Sequence, residues 1–256
     1  MVFTKRKSHS NVQFPDGTVV VLNENSRISY NADFGTTRRE ITLEGEAYFN
    51  VAKNAGAPLI IHVRNVDIRV LGTAFNVKAY PKDKNVETSL ITGKVEVSLR
   101  KYPQRPVLLK PNEKIEIPEE PDPTLGSGLP VEKQPTPQGA GRPGTNQQPD
   151  HDETDLSDTL SYQMQPLKAE KSSKLIPEIA WMYRKLVFNQ EPFGSVAEKM
   201  ERWYDVQVYF EDDDLKKEVF TGSFEKETLE QALKALQFSY PFDFVIKKKE
   251  VFIKRK

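Results

Sequence analysis

The chain has 256 residues, no cysteine, and a formal net charge of zero because 37 Lys and Arg balance 37 Asp and Glu. Without cysteine it forms neither disulfides nor thiolate metal sites, and it has no cysteine nucleophile. A balanced chain also lacks the strongly basic surface through which proteins usually bind nucleic acid, so we expect no nucleic-acid partner.

Residues 1–117 contain many short segments in which apolar and polar side chains alternate, such as the one that carries Val66, Ile68 and Val70. Turn signals, of which Pro15-Asp16-Gly17 is one, separate these segments and predict an all-β domain. Alternation assigns the faces of strands and not their order, so a sandwich, a roll and a solenoid of short strands all fit it. No apolar run approaches the ~18 residues needed to cross a membrane.

Residues 118–174 are predicted to be a linker. Its first part, 118–150, holds 8 of the 18 prolines and 5 of the 13 glycines, with almost no large apolar side chain. Such a segment buries too little apolar surface to offset the entropy of ordering it. The acidic stretch at 150–158 offers oxygen ligands, but it lacks the glycine turn and terminal glutamate of an EF-hand loop, so we interpret it as solvated linker.

Residues 175–256 show helical periodicity in two places. Apolar side chains recur at i, i+3, i+4 and i+7 in the segment from Phe193 to Tyr204 and again from Leu229 to Leu236. The second segment is preceded by a capping-box pattern, Thr228 with Gln231. Alternating segments flank both predicted helices.

The two helical segments belong to an apparent internal repeat. An offset of 36 residues relates Phe188 to Phe224 and also Phe193 to Leu229. We therefore predict an α+β domain over 175–256, with duplicated β-α-β units and two helices on one face of a small sheet.

The sequence contains no motif of the common catalytic families, such as GxSxG, a Walker loop, GxGxxG or HExxH. We therefore predict no enzymatic activity, no cofactor and no metal site. His62 lies in an alternating apolar segment with no second His nearby, and we interpret it as a structural strand residue. Asp212-Asp213-Asp214 is interpreted as a turn before Leu215 rather than a cation site.

Spaced motifs of the N-terminal region carry a family resemblance. They are Pro15-Asp16-Gly17-Thr18 with Leu22-Asn23 and Ser26, Leu43-Glu44-Gly45-Glu46-Ala47-Tyr48-Phe49-Asn50-Val51, Val70-Leu71-Gly72-Thr73-Ala74-Phe75-Asn76-Val77, Gly93-Lys94-Val95-Glu96-Val97 and Leu109-Lys110-Pro111-Asn112-Glu113. In this order they resemble the FecR domain of transmembrane anti-sigma factors. We interpret Gly17 and Gly72 as backbone positions that need glycine, and Asn23 and Ser26 as side chains that bond turn amides.

The C-terminal region carries a second resemblance. Its motifs are Leu186-Val187-Phe188, Trp203-Tyr204-Asp205-Val206, Phe220-Thr221-Gly222-Ser223-Phe224 and Leu229-Glu230-Gln231-Ala232-Leu233. They resemble the short secretin/TonB N-terminal type domain that ends proteins of the same family. The linker resembles nothing.

The resemblance implies a role in cell-surface signalling. In that family a cytoplasmic segment holds a sigma factor of the extracytoplasmic-function type, and one helix crosses the inner membrane. The periplasmic part senses an outer-membrane TonB-dependent transducer. This sequence has no counterpart of the cytoplasmic segment or the membrane helix. The resemblance therefore implies a periplasmic piece of an inner-membrane protein, which reaches the sigma factor and the membrane only through those other parts.

The signalling domain of the transducer is the expected partner. We expect the last two predicted strands to leave a sheet edge open, to which a strand of that domain adds. The candidate partner-binding residues lie on these two strands and are Phe242, Phe244, Ile246, Val251, Phe252 and Ile253.

A carbohydrate-binding or cell-wall-binding module is the alternative function. Tyr30, Tyr48, Tyr80 and Tyr102 are the candidate residues for stacking on sugar rings. Each of them fits half-buried strand packing as well, so the sequence favours the signalling role.

Overall fold

The computed structural model of the protein describes residues 1–35, 38–118, 162–169 and 175–256. The described part of the N-terminal region consists of short strands joined by turns, as the alternating pattern predicts. The strands are β1 (Val2–Phe3), β2 (Ser10–Gln13), β3 (Val19–Leu22), β4 (Arg27–Tyr30), β5 (Arg39–Asn50), β6 (Leu59–Val63), β7 (Val66–Val70), β8 (Ala74–Ala79), β9 (Asn85–Thr92), β10 (Val95–Leu99), β11 (Val107–Leu109), β12 (Glu113–Pro118) and β13 (Gln163–Pro166).

Strand β5 organises this region because it is long enough to belong to both halves of one curled sheet. Its residues 39–44 pair with β4 and, in parallel, with β6, whereas residues 45–50 pair with β3 and β8. Gly45 stands at this change of partners with a φ of +98°, and a Cβ atom there would lie 2.5 Å from Ser26 Oγ. The strand can bend and pass Ser26 only because this residue has no side chain.

The sheet extends from β5 in both directions. One half continues through β6, β7, β10 and β11, and the other through β8, β9, β12 and β13, while β4 with β1 and β3 with β2 complete the two halves. The sheet curls until apolar side chains of both halves share one core. Among the largest buried core side chains are Leu22, Ile28, Ile41, Phe49, Ile61, Ile68, Phe75 and Leu90.

The outer face of the second half is polar. Glu46 on β5, Asn76 and Lys78 on β8, Glu87 on β9 and Lys114 on β12 occupy positions that alternate with core residues along their strands. An ordinary solvent-facing sheet has this pattern, yet Glu46 and Asn76 are buried. Something other than the core must therefore cover them.

Part of the predicted linker is ordered as a strand. Strand β13 pairs with β12, and Leu167 N donates a hydrogen bond to Asn112 O at 2.7 Å. All four β13 side chains are exposed, and only the adjacent Tyr162 packs against the core. The other linker predictions, including the acidic stretch at 150–158, lie outside the described residues.

The C-terminal region contains both predicted helices, α1 (Phe193–Tyr204) and α2 (Leu229–Ser239). The capping box at the start of α2 is present, and neither helix nor any other described one is long and apolar enough to span a membrane. A 3-10 helix at Pro177–Tyr183, absent from the sequence prediction, precedes them, and a second lies at Asp213–Lys217. The strands are β14 (Leu186–Pro192), β15 (Gln207–Phe210), β16 (Val219–Phe224), β17 (Phe242–Lys247) and β18 (Glu250–Arg255).

These strands form two sheets and not the single small sheet that the sequence pattern predicts. Strands β14 and β16 make an antiparallel pair, and a separate three-stranded sheet has the order β15-β18-β17. Strand β18 is central because it pairs in parallel with β15 on one side and antiparallel with β17 on the other. The expectation that the last strand offers an open edge is therefore wrong for β18 and holds only for β17.

Candidate functional site

The six predicted partner-binding residues lie in three different environments. Phe242, Val251 and Ile253 are fully buried in the C-terminal core. Two others, Phe244 and Ile246, are half-buried and pack against the same core from β17. The sixth, Phe252, lies on the opposite face of the sheet. The structure thus brings the six together on adjacent strands, but three of them have no side-chain surface for a partner.

The backbone of β17 has hydrogen-bonding groups directed away from the sheet. Gln207 N bonds to Lys249 O and Glu211 N bonds to Ile253 O, so the odd-numbered residues of β18 face β15. The even-numbered residues of β18 must then form the hydrogen bonds to β17. In the register of the two strands they lie opposite Asp243, Val245 and Lys247, so Phe244 and Ile246 lie between the bonded pairs. Their N–H and C=O groups consequently point to the open edge. Within the described part of the chain they have no hydrogen-bond partner.

Side chains limit this open edge at both of its ends. Near its start, Gln237 Nε2 on α2 donates a hydrogen bond to Phe242 O, which closes that position. At its far end lies Lys247, whose ammonium group is 5.3 Å from the Phe252 ring centroid. The open length is therefore short, and a charged lysine at the end of an edge is a common protection against unspecific strand pairing.

The outer face of the three-stranded sheet carries a row of partly exposed apolar side chains. Tyr209 and Phe252 stack with their centroids 5.3 Å apart, and Val245 lies opposite Phe252 in the register. Tyr209 is 41% and Val245 is 49% exposed, one on each side of Phe252. This row adjoins the open edge of β17.

A second candidate site is a cleft of about 1240 Å³ between the polar outer face of the curled sheet and the C-terminal region. The C-terminal wall is built from the Pro177–Tyr183 helix, β14 and α1. Acidic and basic side chains are present on both walls in similar numbers. We call this feature the interdomain cleft, and the C-terminal region on its far side covers the outward-facing polar residues of the sheet.

Three polar residues meet inside the sheet wall of the cleft. The Glu46 carboxylate accepts hydrogen bonds from Asn23 Nδ2 at 2.8 Å and Asn76 Nδ2 at 2.9 Å. Burial raises the pKa of Glu46, although Lys78 and the two amides act in the opposite direction. Ser26 joins this cluster by accepting the Glu46 backbone N–H at 2.8 Å. The direct hydrogen bonds of this buried carboxylate thus come from neutral amides, with Lys78 acting on it as a nearby charge.

Arg202 of α1 reaches this cluster from the opposite wall. Its Nη1 lies 3.3 Å from Asp83 Oδ1, and its guanidinium carbon is 5.1 Å from the centroid of the Tyr80 ring. The side chain of Arg202 is 22% exposed and that of Asp83 only 9%. Arg202 also interacts electrostatically with Glu24 and Glu198, and burial raises the pKa of both carboxyl groups.

Further ion pairs line the cleft. Lys78 Nζ lies 2.6 Å from Glu87 Oε1, and Lys114 Nζ contacts Glu116 at 2.9 Å within the N-terminal region. Lys114 also reaches Glu178 of the C-terminal region at 3.6 Å. Burial alone would lower the pKa of Lys114, but these carboxylates raise it, so the ammonium form is maintained.

The residues of this cluster belong to sequence motifs, but nothing in the sequence indicates that they share a site. Asn23, Glu46 and Asn76 come from three separate motifs of the N-terminal region. One signal was present in the sequence, because Glu46 and Asn76 occupy outward positions between apolar core residues. Arg202 carried no signal, since an arginine on the polar side of a helix is ordinary.

Other candidate residues have structural roles. His62 Nδ1 lies 2.8 Å from Asp67 Oδ1 across the β6–β7 pair, which agrees with a satisfied strand histidine. Asp212 accepts the backbone N–H of Asp214 and so forms the predicted turn. Among the residues that the structure describes, no group of three His, Asp or Glu is placed to hold a metal ion.

The tyrosines of the carbohydrate hypothesis do not share an environment. Tyr80 is buried beneath Arg202, and its hydroxyl donates to Glu24 O at 3.1 Å. Tyr30 packs edge-on against Phe14 at 4.8 Å. Tyr48 is half-buried on β5, and Tyr102 lies close to the Lys101 ammonium group. Nothing in these positions gives the hypothesis added support.

Comparisons with known proteins find family matches for both the N-terminal and the C-terminal region. A family model described as FecR protein matches residues 1–96, and one described as FecR, C-terminal, matches residues 185–253. Crystal structures at 1.65 Å and 2.50 Å resolution show a protein of Parabacteroides distasonis ATCC 8503, provisionally assigned as an anti-sigma factor. Each is 27% identical to this chain and covers 100% of it and 98% of its own length, with TM-scores of 0.72 and 0.71. A search of curated proteins gave no match.

Proposed function

This chain belongs to the FecR family of anti-sigma factors, and we propose that it is the periplasmic sensing part, which binds the signalling domain of an outer-membrane TonB-dependent transducer. In this role it is a regulatory protein without catalytic activity. Binding controls an extracytoplasmic-function sigma factor, which this chain reaches only through other segments of the anti-sigma factor. The full-length protein is accordingly anchored in the inner membrane.

The observation that carries the proposal is the open edge of β17. Phe244 and Ile246 present backbone donors and acceptors outward, while their side chains are held in the core. A strand of the partner can therefore extend the β15-β18-β17 sheet without rearrangement of this domain. The exposed row of Tyr209, Phe252 and Val245 on the adjoining face supplies apolar surface for the same partner.

This geometry reduces the six predicted binding residues to three that can contact a partner directly. Strand addition uses the backbone of Phe244 and Ile246, and Phe252 contributes from the outer face. The buried side chains of Phe242, Val251 and Ile253 act only by holding the strands in place. The charge on Lys247 limits which strands can bind to the edge. A bound strand must either carry an acidic group opposite Lys247 or end before it reaches Lys247.

The test compares two substitutions at one position. Ile246→Pro removes the outward N–H and also truncates the side chain, whereas Ile246→Ala truncates the side chain and keeps the N–H. Both variants keep the pairing of β17 with β18, because Ile246 lies between bonded pairs. Affinity for the purified signalling domain of the transducer encoded beside this protein is measured by isothermal titration calorimetry.

We expect the alanine variant to bind within a few-fold of the wild type and the proline variant to lose at least tenfold in affinity. Circular dichroism of each variant checks that the fold is intact. Equal affinities of the two variants would show that β17 is not the docking edge. No binding by the wild-type chain at high micromolar concentration, with both partners folded, would contradict the function itself.

A further inference from the structure

The two regions of the protein meet through charged groups and one aromatic contact, between His9 and Trp181, and not through a shared apolar core. The N-terminal core and the C-terminal core are separate clusters with no residue in common. The Arg202–Asp83 and Lys114–Glu178 ion pairs cross the interdomain cleft, and the Arg6–Asp205 ion pair joins the two regions outside it. An interface of this kind resembles that of a transient complex, in which relative domain motion is the usual expectation.

We propose that Arg202 is the centre of a releasable latch, which holds the C-terminal region against the polar face of the curled sheet. The guanidinium group has two contacts on the opposite wall, Asp83 and the Tyr80 ring. When the cleft opens, both contacts are lost, but the guanidinium and the carboxylates regain water. These changes largely cancel for a buried ion pair, so closed and open arrangements lie close in free energy.

The charges around Arg202 come from every element packed against it. The sheet wall contributes Glu24, Glu46, Lys78 and Asp83, and α1 itself contributes Glu198. Carboxylates outnumber cations at this point of the cleft. Removal of the guanidinium therefore leaves mutual repulsion among the carboxylates, and opening of the cleft, which hydrates them, relieves it.

The latch is joined to the hairpin that carries the proposed docking edge. Asp205, three residues after Arg202, forms ion pairs with Lys249 in the β17–β18 turn and with Arg6 of the N-terminal region. One carboxylate therefore touches both the hairpin and the opposite domain. A partner strand added to β17 lies beside this turn, so we expect its docking to separate Lys249 from Asp205 while the pairing within the sheet is kept, which couples binding to latch release. This coupling, unlike the latch itself, rests on the proposed function.

The latch is tested in the free protein by distance measurement. Because the chain has no native cysteine, Thr42→Cys and Ala235→Cys place two spin labels at exposed sites, one in each region. Double electron–electron resonance then gives the distance distribution. Arg202→Gln is compared with Arg255→Gln, which removes the same charge from the pair with Asp212, an ion pair inside the C-terminal region.

We expect one narrow distance in the wild type and in the Arg255→Gln variant, and a broader, longer distribution in Arg202→Gln. Raising NaCl from 0.05 M to 1 M should broaden the wild-type distribution and change that of Arg202→Gln less, because only the Lys114–Glu178 and Arg6–Asp205 pairs remain there for salt to screen. The salt series needs no variant at the latch, so it stands even where Arg202→Gln folds poorly. Identical, salt-independent distributions in all three proteins overturn the latch.

A second arm adds the signalling domain of the transducer to the labelled wild type. A longer distance on binding is the expected result. Binding with an unchanged distance overturns the coupling and leaves the proposed function intact. Absence of binding contradicts the proposed function, while the latch is still decided by the free-protein measurement.

Discussion

Glu46 gives the sharpest prediction on stability, because it is a buried carboxylate whose pKa burial raises above its ordinary value of 4.5. Its two hydrogen bonds, at 2.8 and 2.9 Å, come from neutral amides, and the nearest cations do not form an ion pair with it. Ionisation therefore costs more in the folded protein than in the unfolded chain. The group stabilises the fold fully below pH 4.5, and that contribution is lost as the pH rises through the folded-state pKa.

The change to be made is Glu46→Gln, which keeps the shape and removes the titration. The new amide can be accommodated by rotation of the Asn76 amide, whose Oδ1 lacks a partner among the described residues. The difference in unfolding free energy between wild type and variant should fall with rising pH, by about 1.4 kcal/mol for each unit by which the folded-state pKa exceeds 4.5. Above that pKa the difference becomes constant.

The measurement is urea unfolding, followed by circular dichroism at a series of pH values from 4 upward. Glu44→Gln is the matched control, since Glu44 lies two residues away on the same strand with its side chain 48% exposed. A difference that stays flat for Glu46→Gln, or that rises with pH, would refute the reasoning. It would mean that Lys78, Arg202 and the amides stabilise the carboxylate as well as water does.

Three further changes test the fold. Gly45→Ala should lower the unfolding free energy by about 2–5 kcal/mol, because φ is +98° and the added Cβ meets Ser26; a loss under 1 kcal/mol in urea unfolding would contradict the bend of β5. Phe193→Ala should cost about 3–5 kcal/mol in the same assay, since this fully buried ring packs on Phe220 at 4.7 Å and on Phe242 at 5.1 Å. Thr228→Ala should cost about 1 kcal/mol by loss of the α2 cap, and a neutral effect would show that the helix start does not need it.

Local features of the fold could be predicted from the sequence. The spacing of Phe193, Val196, Ala197 and Met200 predicts α1 because each of these side chains must reach the same core, and the structure buries all four. The Thr228–Gln231 capping box is likewise a local pattern, complete within one turn of helix. Alternation in the N-terminal region predicts its strands for the same reason. Each of these patterns depends only on neighbours within a few residues.

Strand order could not be predicted in the same way, because it depends on pairing between distant segments. The last strand of a chain is often an edge strand, but β18 pairs with β15, about 40 residues earlier, and so becomes central. Strand β13 was missed because its exposed side chains show no alternation and its pairing uses the backbone alone. The open edge of the C-terminal sheet therefore had to be reassigned to β17.

The interdomain cleft was hidden from sequence analysis for a related reason. The hydrogen bonds of Glu46 join β5 to Asn23, 23 residues earlier and just after β3, and to Asn76 on β8, 30 residues later, and its burial depends on the other region. A polar residue at an outward strand position looks solvent-exposed until the element that covers it is known. Similarly, Arg202 becomes notable only when Asp83 and Tyr80 are seen to lie opposite it.

The central claim, that β17 receives a strand of the transducer, is tested most directly by amide hydrogen exchange. Exchange of the Phe244 and Ile246 amides is measured by NMR in the free chain and after addition of the signalling domain. The open edge predicts rapid exchange of both amides in the free protein and strong protection of both in the complex, with little change at Val245, which is already bonded to β18. Tight binding that leaves Phe244 and Ile246 unprotected would contradict the account.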